Sequence, residues 1–386
     1  MPQATRAIVC HDTLANGGWK LEDVLVREPR EGELLVEMVG SGICHTDLIS
    51  GGAPKGMAPG AFYPRVLGHE GSGYVKSAGP GVTVAKPGDA VLLSYDSCQN
   101  CQVCAWKRGS YCPEFFPLNF TGEYPVFSTK GHGENQEPNV SGRYFGQSSF
   151  ANLSIVSQNS VVNVSSLVKS KQELQFFSPL GCGIQTGSGT VINVVKAGPE
   201  DIITIIGLGG VGLSAIAAAG KIAKCKKVIG IDKVKSRLDL AFEFGATDVI
   251  DGDNLPEGKT LDDVVKALSD GIGPTITIDT TGVPALIKAG FAFTRRGGRY
   301  VQVGTSPPDF QMEIPWFEFM MSGKQVLGAV EGQAKPSEYV PQMIQWYRDG
   351  KFPIDKMMKT FPVDKYHEGI EEMHKGVTIK PVIAWS

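Results

Sequence analysis

The sequence predicts an α/β protein of two domains, in which a mostly-β domain precedes a doubly wound parallel sheet. The chain has 386 residues, and a single hydrophobic core stops growing near ~250–300 residues, which favours two domains. Residues 1–160 contain short apolar runs closed by Gly and Pro, whereas strand-like and helix-like segments alternate after about residue 166. Such alternation is typical of a parallel sheet with helical crossovers.

The N-terminal half is predicted to consist mainly of short strands. Residues 33–39 and 73–78 are predicted to be short strands closed by Gly and Pro turns, and residues 85–93 begin with a Pro-Gly turn that leads into a strand. Helical periodicity is weak throughout this part of the chain. We assign residues 1–165 to this mostly-β domain.

The C-terminal half has the alternating pattern. The predicted strands are 202–206, 227–231, 248–250, 275–279 and 299–303. The predicted helices are 212–224, 236–244, 261–269 and 284–293, followed by a strand near 325 and a helix at about 337–348. We assign residues 166–330 to the parallel-sheet domain.

Charge and hydropathy exclude several classes of partner. The 37 basic and 40 acidic residues give a net charge of −3, which lacks the basic surface that nucleic acid or an anionic membrane requires. The uncharged stretch 202–220 contains five glycines and therefore predicts a strand and a turn rather than a membrane helix. Neither end of the sequence resembles a targeting signal, so we expect a cytoplasmic protein.

A glycine-rich turn follows the first strand of the parallel-sheet domain. Gly207, Gly209 and Gly212 fit G-x-G-x-x-G between a strand and a helix, and Asp232 ends the next strand twenty residues later. This pattern predicts a dinucleotide site, with the pyrophosphate at the helix N-terminus and the acidic residue on the ribose. Asp232 favours NAD over NADP, although Arg237 and nearby lysines are compatible with a phosphate. The alternative is a glycine turn without a ligand.

Four cysteines lie within fifteen residues in the N-terminal half. Cys98, Cys101, Cys104 and Cys112 predict a closed, structural Zn²⁺ site, because four thiolates complete a tetrahedral shell. The alternatives are an iron–sulfur cluster, whose known spacings differ, and disulfides, which a reducing compartment disfavours.

A second set of metal-binding residue types is dispersed along the chain. Cys44 lies in Gly-Ile-Cys-His-Thr-Asp, His69 and Glu70 lie in Gly-His-Glu-Gly, and Cys182 lies in Leu-Gly-Cys-Gly-Ile-Gln-Thr. Spacing alone does not bring these residues together. Taken one at a time, each is more often a buried thiol or a hydrogen-bonded polar residue than a ligand.

These segments, the four-cysteine lobe and the glycine turn occur in the order found in the zinc-dependent medium-chain alcohol dehydrogenases, which the chain resembles over essentially its whole length. The resemblance implies that Cys44, His69 and Cys182 bind a catalytic zinc whose fourth ligand is water or the substrate oxygen. It implies that Glu70 is an occasional ligand, and that Asp47 orients the histidine.

The same resemblance implies a fold and a reaction. It implies that the mostly-β domain is GroES-like and is completed by a C-terminal tail at about 331–386, and that residues 166–330 form an NAD-binding Rossmann domain. Zinc is expected to act as a Lewis acid on an alcohol that gives hydride to NAD, or on an aldehyde that NADH reduces. Thr46 matches the hydroxyl that passes the alcohol proton outward. Ile49 stands where many members have a relay histidine, so the proton is expected to leave through the ribose hydroxyls and water.

Further residues match the cofactor site of that family. The candidate cofactor residues are His45, Thr186, Gly207, Gly209, Gly210, Val211, Gly212, Asp232, Arg237, Val303 and Lys380. His45 and Lys380 match positions at the pyrophosphate, and Thr186 and Val211 match neighbours of the nicotinamide. The alternative for Lys380 is an ordinary surface lysine.

Substrate and assembly are also expectations from resemblance. The Cys-His-Thr-Asp-Leu-Ile segment is similar to the benzyl and aryl alcohol dehydrogenase branch, and Tyr95, Tyr144 and Phe145 fall near positions that line the substrate pocket. These aromatic residues favour a primary aromatic or allylic alcohol as substrate; the alternative is that they are core aromatics.

Residues 113–147 resemble the longer loop of dimeric members, so we expect a homodimer, with a tetramer as the alternative. The rival classes are a zinc-free enone or quinone reductase and a non-catalytic NAD-binding protein.

Overall fold

The computed structural model describes residues 1–129 and 139–385. Residues 130–138, which form part of the segment that led to the expectation of a homodimer, lie outside the described residues. The strands are β1 (Gln3–Cys10), β2 (Trp19–Val26), β3 (Glu33–Gly42), β4 (Arg65–Val66), β5 (Gly71–Ala78), β6 (Ala90–Leu93), β7 (Glu123–Thr129), β8 (Val140–Gly142), β9 (Leu153–Ser157), β10 (Val161–Asn163), β11 (Ile202–Ile206), β12 (Lys227–Asp232), β13 (Asp248–Asp251), β14 (Ile276–Asp279), β15 (Arg299–Gln302), β16 (Gln325–Gly328), β17 (Met358–Pro362) and β18 (Lys380–Ala384).

The α-helices are α1 (His45–Gly52), α2 (Gln102–Ala105), α3 (Lys171–Phe176), α4 (Gly183–Gly189), α5 (Gly210–Ala217), α6 (Lys235–Phe244), α7 (Leu261–Leu268), α8 (Pro284–Phe293), α9 (Trp316–Ser322), α10 (Pro336–Arg348) and α11 (Tyr366–His374). No helix among the described residues is long and apolar enough to cross a membrane.

The chain divides into two compact units. The first contains Met1–Cys182, Ala334–Ile344 and Asp355–Ser386, and the second contains Gly183–Gln333 and Gln345–Ile354. The boundary that the sequence suggested at residue 165 therefore falls inside the first unit, whose chain continues through the last of the dispersed cysteines.

The first unit is built from a closed barrel and a sheet. The barrel has the order β1-β2-β7-β8-β4, and the sheet has the order β10-β6-β5-β3-β18-β17, with β9 also paired to β3. This architecture confirms the mostly-β prediction. Ser41 pairs with Gly71 in the antiparallel ladder of β3 and β5, so the residues that follow β3 lie beside the residues that precede β5. The C-terminal strand β18 runs antiparallel to β3 at the same end.

The second unit is a six-stranded sheet of order β13-β12-β11-β14-β15-β16, and all of its strand pairs are parallel. This confirms the predicted doubly wound sheet. The central strand β11 is buried along its whole length, as expected for an uninterrupted run of apolar and β-branched residues between two parallel neighbours. The helix after it begins at Gly210 and widens into a π-helical turn at Ala218–Ile222, which shortens the regular helix expected over 212–224.

Candidate metal centres and dinucleotide site

The dispersed residues Cys44, His69, Glu70 and Cys182 meet in the first unit. One ligand atom from each lies within 4.8 Å of the others. Cys44 immediately precedes α1, the histidine and glutamate immediately precede β5, and Cys182 follows a short 3-10 turn. The histidine, the glutamate and Cys182 are buried. Tertiary structure thus assembles a set that sequence spacing left scattered.

The His69 ring is held in one orientation by Asp47. Its Nδ1 lies 2.8 Å from Asp47 Oδ1, and the same carboxylate accepts the backbone N–H groups of Cys44 at 3.0 Å and Gly68 at 3.1 Å. Because a carboxylate accepts hydrogen bonds, Nδ1 is the donor to Asp47, and Nε2 is the ring atom that can bind a metal. Nε2 is buried and has no hydrogen-bond partner in the part of the chain that the structure describes. A buried lone pair beside two thiols fits a metal ligand.

Electrostatics favour the metal-binding form of Cys44. A hydrogen bond with Cys182 and the positive charges of Lys380 and His69 hold the pKa of the Cys44 thiol well below its ordinary value, against the burial that raises it. Without metal, burial lowers the pKa of His69 but the charges of Asp47 and Cys44 raise it, so a metal ion at Nε2 would displace a proton there. The cluster therefore holds a thiolate, which is the form that binds Zn²⁺.

Lys380 contacts the same cluster. Its Nζ donates to the two Glu70 carboxylate oxygens at 2.8 and 2.9 Å and to the Ile43 carbonyl oxygen at 3.3 Å. Lys380 is only 5% exposed, so the alternative of a surface lysine is wrong. Burial raises the pKa of Glu70, and the Glu70 carboxylate raises that of Lys380 against the effect of burial. This ion pair occupies both carboxylate oxygens of Glu70, which leaves Cys44, His69 and Cys182 as the candidate ligands.

The four clustered cysteines converge around α2. The sulfur atoms of Cys98 and Cys104 lie 3.9 Å apart, as do those of Cys101 and Cys112, and all four lie within 4.8 Å of one another. These separations fit thiolates around one ion and are too long for disulfides. The backbone N–H of Asn100 contributes most to lowering the pKa of Cys98 to about 7.

The glycine turn has the geometry that the sequence predicts. Gly207 has φ of 87°, a left-handed conformation that glycine adopts without strain. A Cβ on Gly212 would lie 1.8 Å from the Gly207 carbonyl oxygen, so only glycine lets α5 approach β11 this closely. Asp232 ends β12, and its Oδ2 accepts the Leu208 N–H at 2.7 Å. Its other oxygen accepts two backbone N–H groups at the start of the α6 segment.

The remaining candidate cofactor residues are distributed over both units. Gly209, Gly210, Val211, Asp232, Arg237, Thr186 and Val303 belong to the second unit with the glycine turn, and His45 and Lys380 belong to the first. Arg237 Nη1 lies 3.9 Å from Asp232 Oδ2. Thr186 Oγ1 lies 3.5 Å from a carboxylate oxygen of Glu331.

An aromatic cluster adjoins His69. The Phe145 ring stacks on the histidine ring at 4.5 Å, and the Tyr144 ring meets it edge-on at 5.7 Å. Tyr144 is fully buried, and its hydroxyl lies 2.7 Å from Ser50 Oγ. Tyr95 donates to the Ala334 carbonyl oxygen at 2.6 Å. The three predicted pocket aromatics are therefore all buried, and two of them contact the candidate ligand.

Comparison with known proteins agrees with this geometry. The family description "Alcohol dehydrogenase GroES-like domain" matches residues 30–166, and "Zinc-binding dehydrogenase" matches residues 210–349. Geraniol dehydrogenase of Castellaniella defragrans is 36% identical over 96% of this chain and 95% of its own length. The chain belongs to the zinc-dependent medium-chain alcohol dehydrogenase family. It is an NAD-dependent alcohol oxidoreductase.

Solved structures of the family superpose over the whole chain. A zinc-binding-domain alcohol dehydrogenase from Burkholderia ambifaria has a TM-score of 0.90 at 32% identity, with full coverage of both chains. Benzyl alcohol dehydrogenase from Acinetobacter calcoaceticus has a TM-score of 0.87 at 34% identity, again with full coverage of both chains. The GroES-like assignment of the β domain is confirmed, and the rival classes of zinc-free reductase and non-catalytic protein are set aside.

Three residues that contact candidate site residues are absent from the sequence predictions. Phe120 and Phe115 pack edge-on against Phe145 at 5.2 and 6.2 Å, and neither lies in a motif. Glu331 is buried, accepts a hydrogen bond from Gln185 Nε2 at 2.9 Å, and has φ of 52°. For Glu331 the sequence offers only a charged residue beside glycine in Val-Glu-Gly-Gln, and this pattern does not indicate that the side chain is buried.

Proposed function

We propose that this enzyme oxidises primary aromatic or allylic alcohols with NAD and reduces the corresponding aldehydes, using a catalytic zinc on Cys44, His69 and Cys182. The observation that carries this proposal is the buried, unpartnered Nε2 of His69 beside two cysteine sulfurs. Two thiolates and one imidazole would supply the three protein ligands that are typical of catalytic zinc sites, which keep one position open for water or substrate.

When bound, zinc supplies a Lewis acid that lowers the pKa of an alcohol. The residues of the chain prepare its site. Asp47 keeps the Nδ1 proton in place and the Nε2 lone pair available, and Lys380 neutralises Glu70, so the carboxylate does not compete for the fourth position. Thr46 is the proposed first carrier of the alcohol proton, and its Oγ1 lies 3.8 Å from Cys44 Sγ. Ile49 is 43% exposed and aliphatic, so it offers no group to continue a proton relay.

The aromatic cluster supports the proposed substrate class. Phe145, Phe115 and Phe120 form an apolar, flat-sided group next to His69, and aromatic faces favour planar π systems through stacked and edge-on contacts. The names of two relatives, a geraniol dehydrogenase and a benzyl alcohol dehydrogenase, refer to primary alcohols whose carbinol carbon adjoins a double bond or a ring.

The acidic residue after β12 supports NAD over NADP. The Asp232 side chain is only 8% exposed, and its carboxylate would repel a ribose phosphate. Arg237 lies beside it and offsets part of this negative charge, so the first assay compares NAD with NADP.

Cys98, Cys101, Cys104 and Cys112 are proposed to hold a second, structural zinc. Ligand thiols that must stay reduced support a cytoplasmic location.

The first experiment follows NADH formation by its near-ultraviolet absorbance with matched alcohols. Cinnamyl alcohol is paired with hydrocinnamyl alcohol, and benzyl alcohol with cyclohexylmethanol, so that each pair differs in unsaturation next to the carbinol. We expect higher kcat/KM for the unsaturated member of each pair, loss of turnover with a chelator, and weaker activity with NADP. Equal or better turnover of the saturated alcohols would refute the substrate class, and chelator-insensitive turnover would refute the catalytic zinc.

A homodimer is proposed from one apolar surface of the second unit. Helix α9 exposes Trp316 at 76%, Phe317 at 71% and Met320 at 63%, and Val326 on β16, the last strand of the sheet, is 46% exposed. A large exposed apolar patch beside a sheet edge is typical of an interface. We expect Val326→Lys to give monomers in sedimentation velocity and Val377→Lys, at a 70% exposed position of the first unit, to leave dimers. Monomers in the unmodified protein would contradict this assembly.

A further inference from the structure

Residues 143–148, which lead into the aromatic cluster, follow an unusual backbone path. Arg143 has φ of 56° and ψ of 30°, and Phe145 has φ of 52° and ψ of 36°. Ser148 also has a positive φ, of 49°. Residues with a side chain seldom adopt this left-handed conformation, and it persists only where surrounding contacts over-determine it. The contacts at the two ends of this turn therefore determine where its side chains lie.

The N-terminal end of the turn is held by ion pairs. Arg143 Nη1 donates to Glu33 Oε1 and to Glu123 Oε2, each at 3.1 Å, and its Nη2 lies 3.6 Å from Asp96 Oδ2. The side chains of Glu33 and Asp96 are 6% and 1% exposed. Arg27 pairs with the same two glutamates. Arg143 thus joins a largely buried network of charges to a backbone in a strained conformation.

The C-terminal end of the turn is tied to the ligand segment. Gln147 is fully buried, and its Nε2 donates to the His69 carbonyl oxygen at 2.9 Å and to that of Ser94 at 3.0 Å. Its Oε1 accepts the Gly71 N–H at 3.0 Å. Ser148 Oγ donates to the Val66 carbonyl oxygen at 2.7 Å. Four hydrogen bonds therefore hold this end without any contact from Arg143.

Between these two attachments lies Phe145, whose ring stacks on the His69 ring at 4.5 Å with an interplanar angle of 27°. We propose that Arg143 is a positioning residue, whose contacts with Glu33, Glu123 and Asp96 hold the turn that places Phe145 against His69 and thereby set the aromatic wall for the substrate. The part of this inference that concerns substrate rests on the proposed function. The part that concerns the Phe145 ring does not.

The test compares three variants. Arg143→Met removes the charge and keeps an unbranched side chain; Arg143→Lys keeps the charge but has one ammonium for three carboxylates. Arg30→Met is the matched control, because Arg30 is 65% exposed and pairs with Glu123 without belonging to the turn. For each protein we would determine a crystal structure, the zinc content, the melting temperature, and kcat and KM for benzyl alcohol and for ethanol.

In Arg143→Met we expect the Phe145 ring to move away from His69 and the KM for benzyl alcohol to rise by roughly tenfold or more, because small misplacements of a substrate wall are costly. The kcat for ethanol should change by no more than about twofold, since a small alcohol needs less of the wall. Arg143→Lys should fall between Arg143→Met and the unmodified enzyme, and Arg30→Met should match the unmodified enzyme.

Several outcomes would overturn the proposal. The first is that the Phe145 ring stays stacked on His69 in Arg143→Met. The second is that Arg143→Met and Arg30→Met lose the same amount of melting temperature while the KM for benzyl alcohol is unchanged. The second result would indicate that the charge network has a structural role only. If Arg143→Met fails to fold, the same two readouts on Arg143→Lys decide. If the unmodified enzyme oxidises none of the alcohols, the proposed function fails, and the crystallographic position of Phe145 still decides the role of Arg143.

Discussion

Replacing Asp47 with Asn should weaken zinc binding at the Cys44, His69 and Cys182 centre while the chain remains folded. The carboxylate accepts three hydrogen bonds, from the Cys44 and Gly68 backbone N–H groups and from His69 Nδ1. An asparagine side chain has the same shape, but one of its two terminal atoms only donates. Whichever way the amide is oriented, at least one of the three donors then faces another donor.

The size of the effect follows from these contacts. Leaving one buried donor unpaired costs about 1–3 kcal/mol of folding free energy. Loss of the group that orients a histidine ligand lowers metal affinity by roughly 10- to 100-fold, which corresponds to about 1.4–2.8 kcal/mol. The stability cost is small for a two-unit chain of this length, so the variant should fold and its metal affinity should be measurable.

The assay is competition for zinc between the metal-free enzyme and a chromophoric chelator. The four-cysteine site serves as an internal reference that the Asp47→Asn change should leave unaltered. Asp89→Asn is the matched control, because Asp89 accepts the Lys86 backbone N–H at 3.0 Å and an Asn163 amide at 2.8 Å away from the candidate ligands. If Asp47→Asn and Asp89→Asn both bind zinc like the unmodified protein, the reasoning about the orientation of His69 is wrong.

Cys44→Ala should abolish alcohol oxidation, because it removes a ligand, while NAD binding measured by fluorescence titration stays detectable; normal turnover would exclude the catalytic-zinc assignment. Gly212→Ala should lower the melting temperature and prevent NAD binding, because its Cβ would collide with the Gly207 carbonyl oxygen at 1.8 Å. Gly209→Ala is its matched control for stability, since no atom of the described residues 1–129 and 139–385 lies within 4 Å of the added Cβ. It should keep its melting temperature but bind NAD more weakly, because the pyrophosphate approaches the backbone there, and unchanged affinity would contradict that role. In metal-free enzyme, the alkylation rate of Cys98, measured by mass spectrometry, should rise with pH around a midpoint of about 7, the lowered pKa of this thiol, because the thiolate is the nucleophile. A midpoint near the ordinary thiol pKa would contradict the effect of the Asn100 hydrogen bond.

Local sequence was sufficient wherever the interacting groups are close along the chain. The strand–turn–helix around Gly207 and Gly212 could be predicted because a five-residue apolar strand, a left-handed turn and a close helix approach each have a residue signature. The four-cysteine site could be predicted because its ligands span fifteen residues, a distance that one loop covers. For the catalytic centre, spacing carried no information, and only resemblance to a family joined Cys44, His69 and Cys182.

Other features depend on contacts between distant segments. Lys380 is attached to Glu70, 310 positions earlier in the chain, because β18 pairs with β3 beside the ligand segment. Charged residues far apart in the sequence give no sign of that pairing, so a position on the surface was an equally reasonable interpretation of Lys380. Phe145 was recognised as a pocket candidate, but its stacking on His69 results from a turn in which Arg143, Phe145 and Ser148 have positive φ. None of these three residue types favours that conformation, so the sequence does not predict such a path.

By itself, the sequence determined the alternation of strands and helices over residues 202–303, the dinucleotide turn and the four-cysteine lobe, because each depends on short-range periodicity or on ligands within a single loop. Only the tertiary structure decided which lone pair of His69 is available, which cation neutralises Glu70 and how the aromatic wall is held. These properties depend on atoms brought within hydrogen-bonding distance by strand pairing between segments far apart in the chain, and no local pattern of residues encodes such pairing.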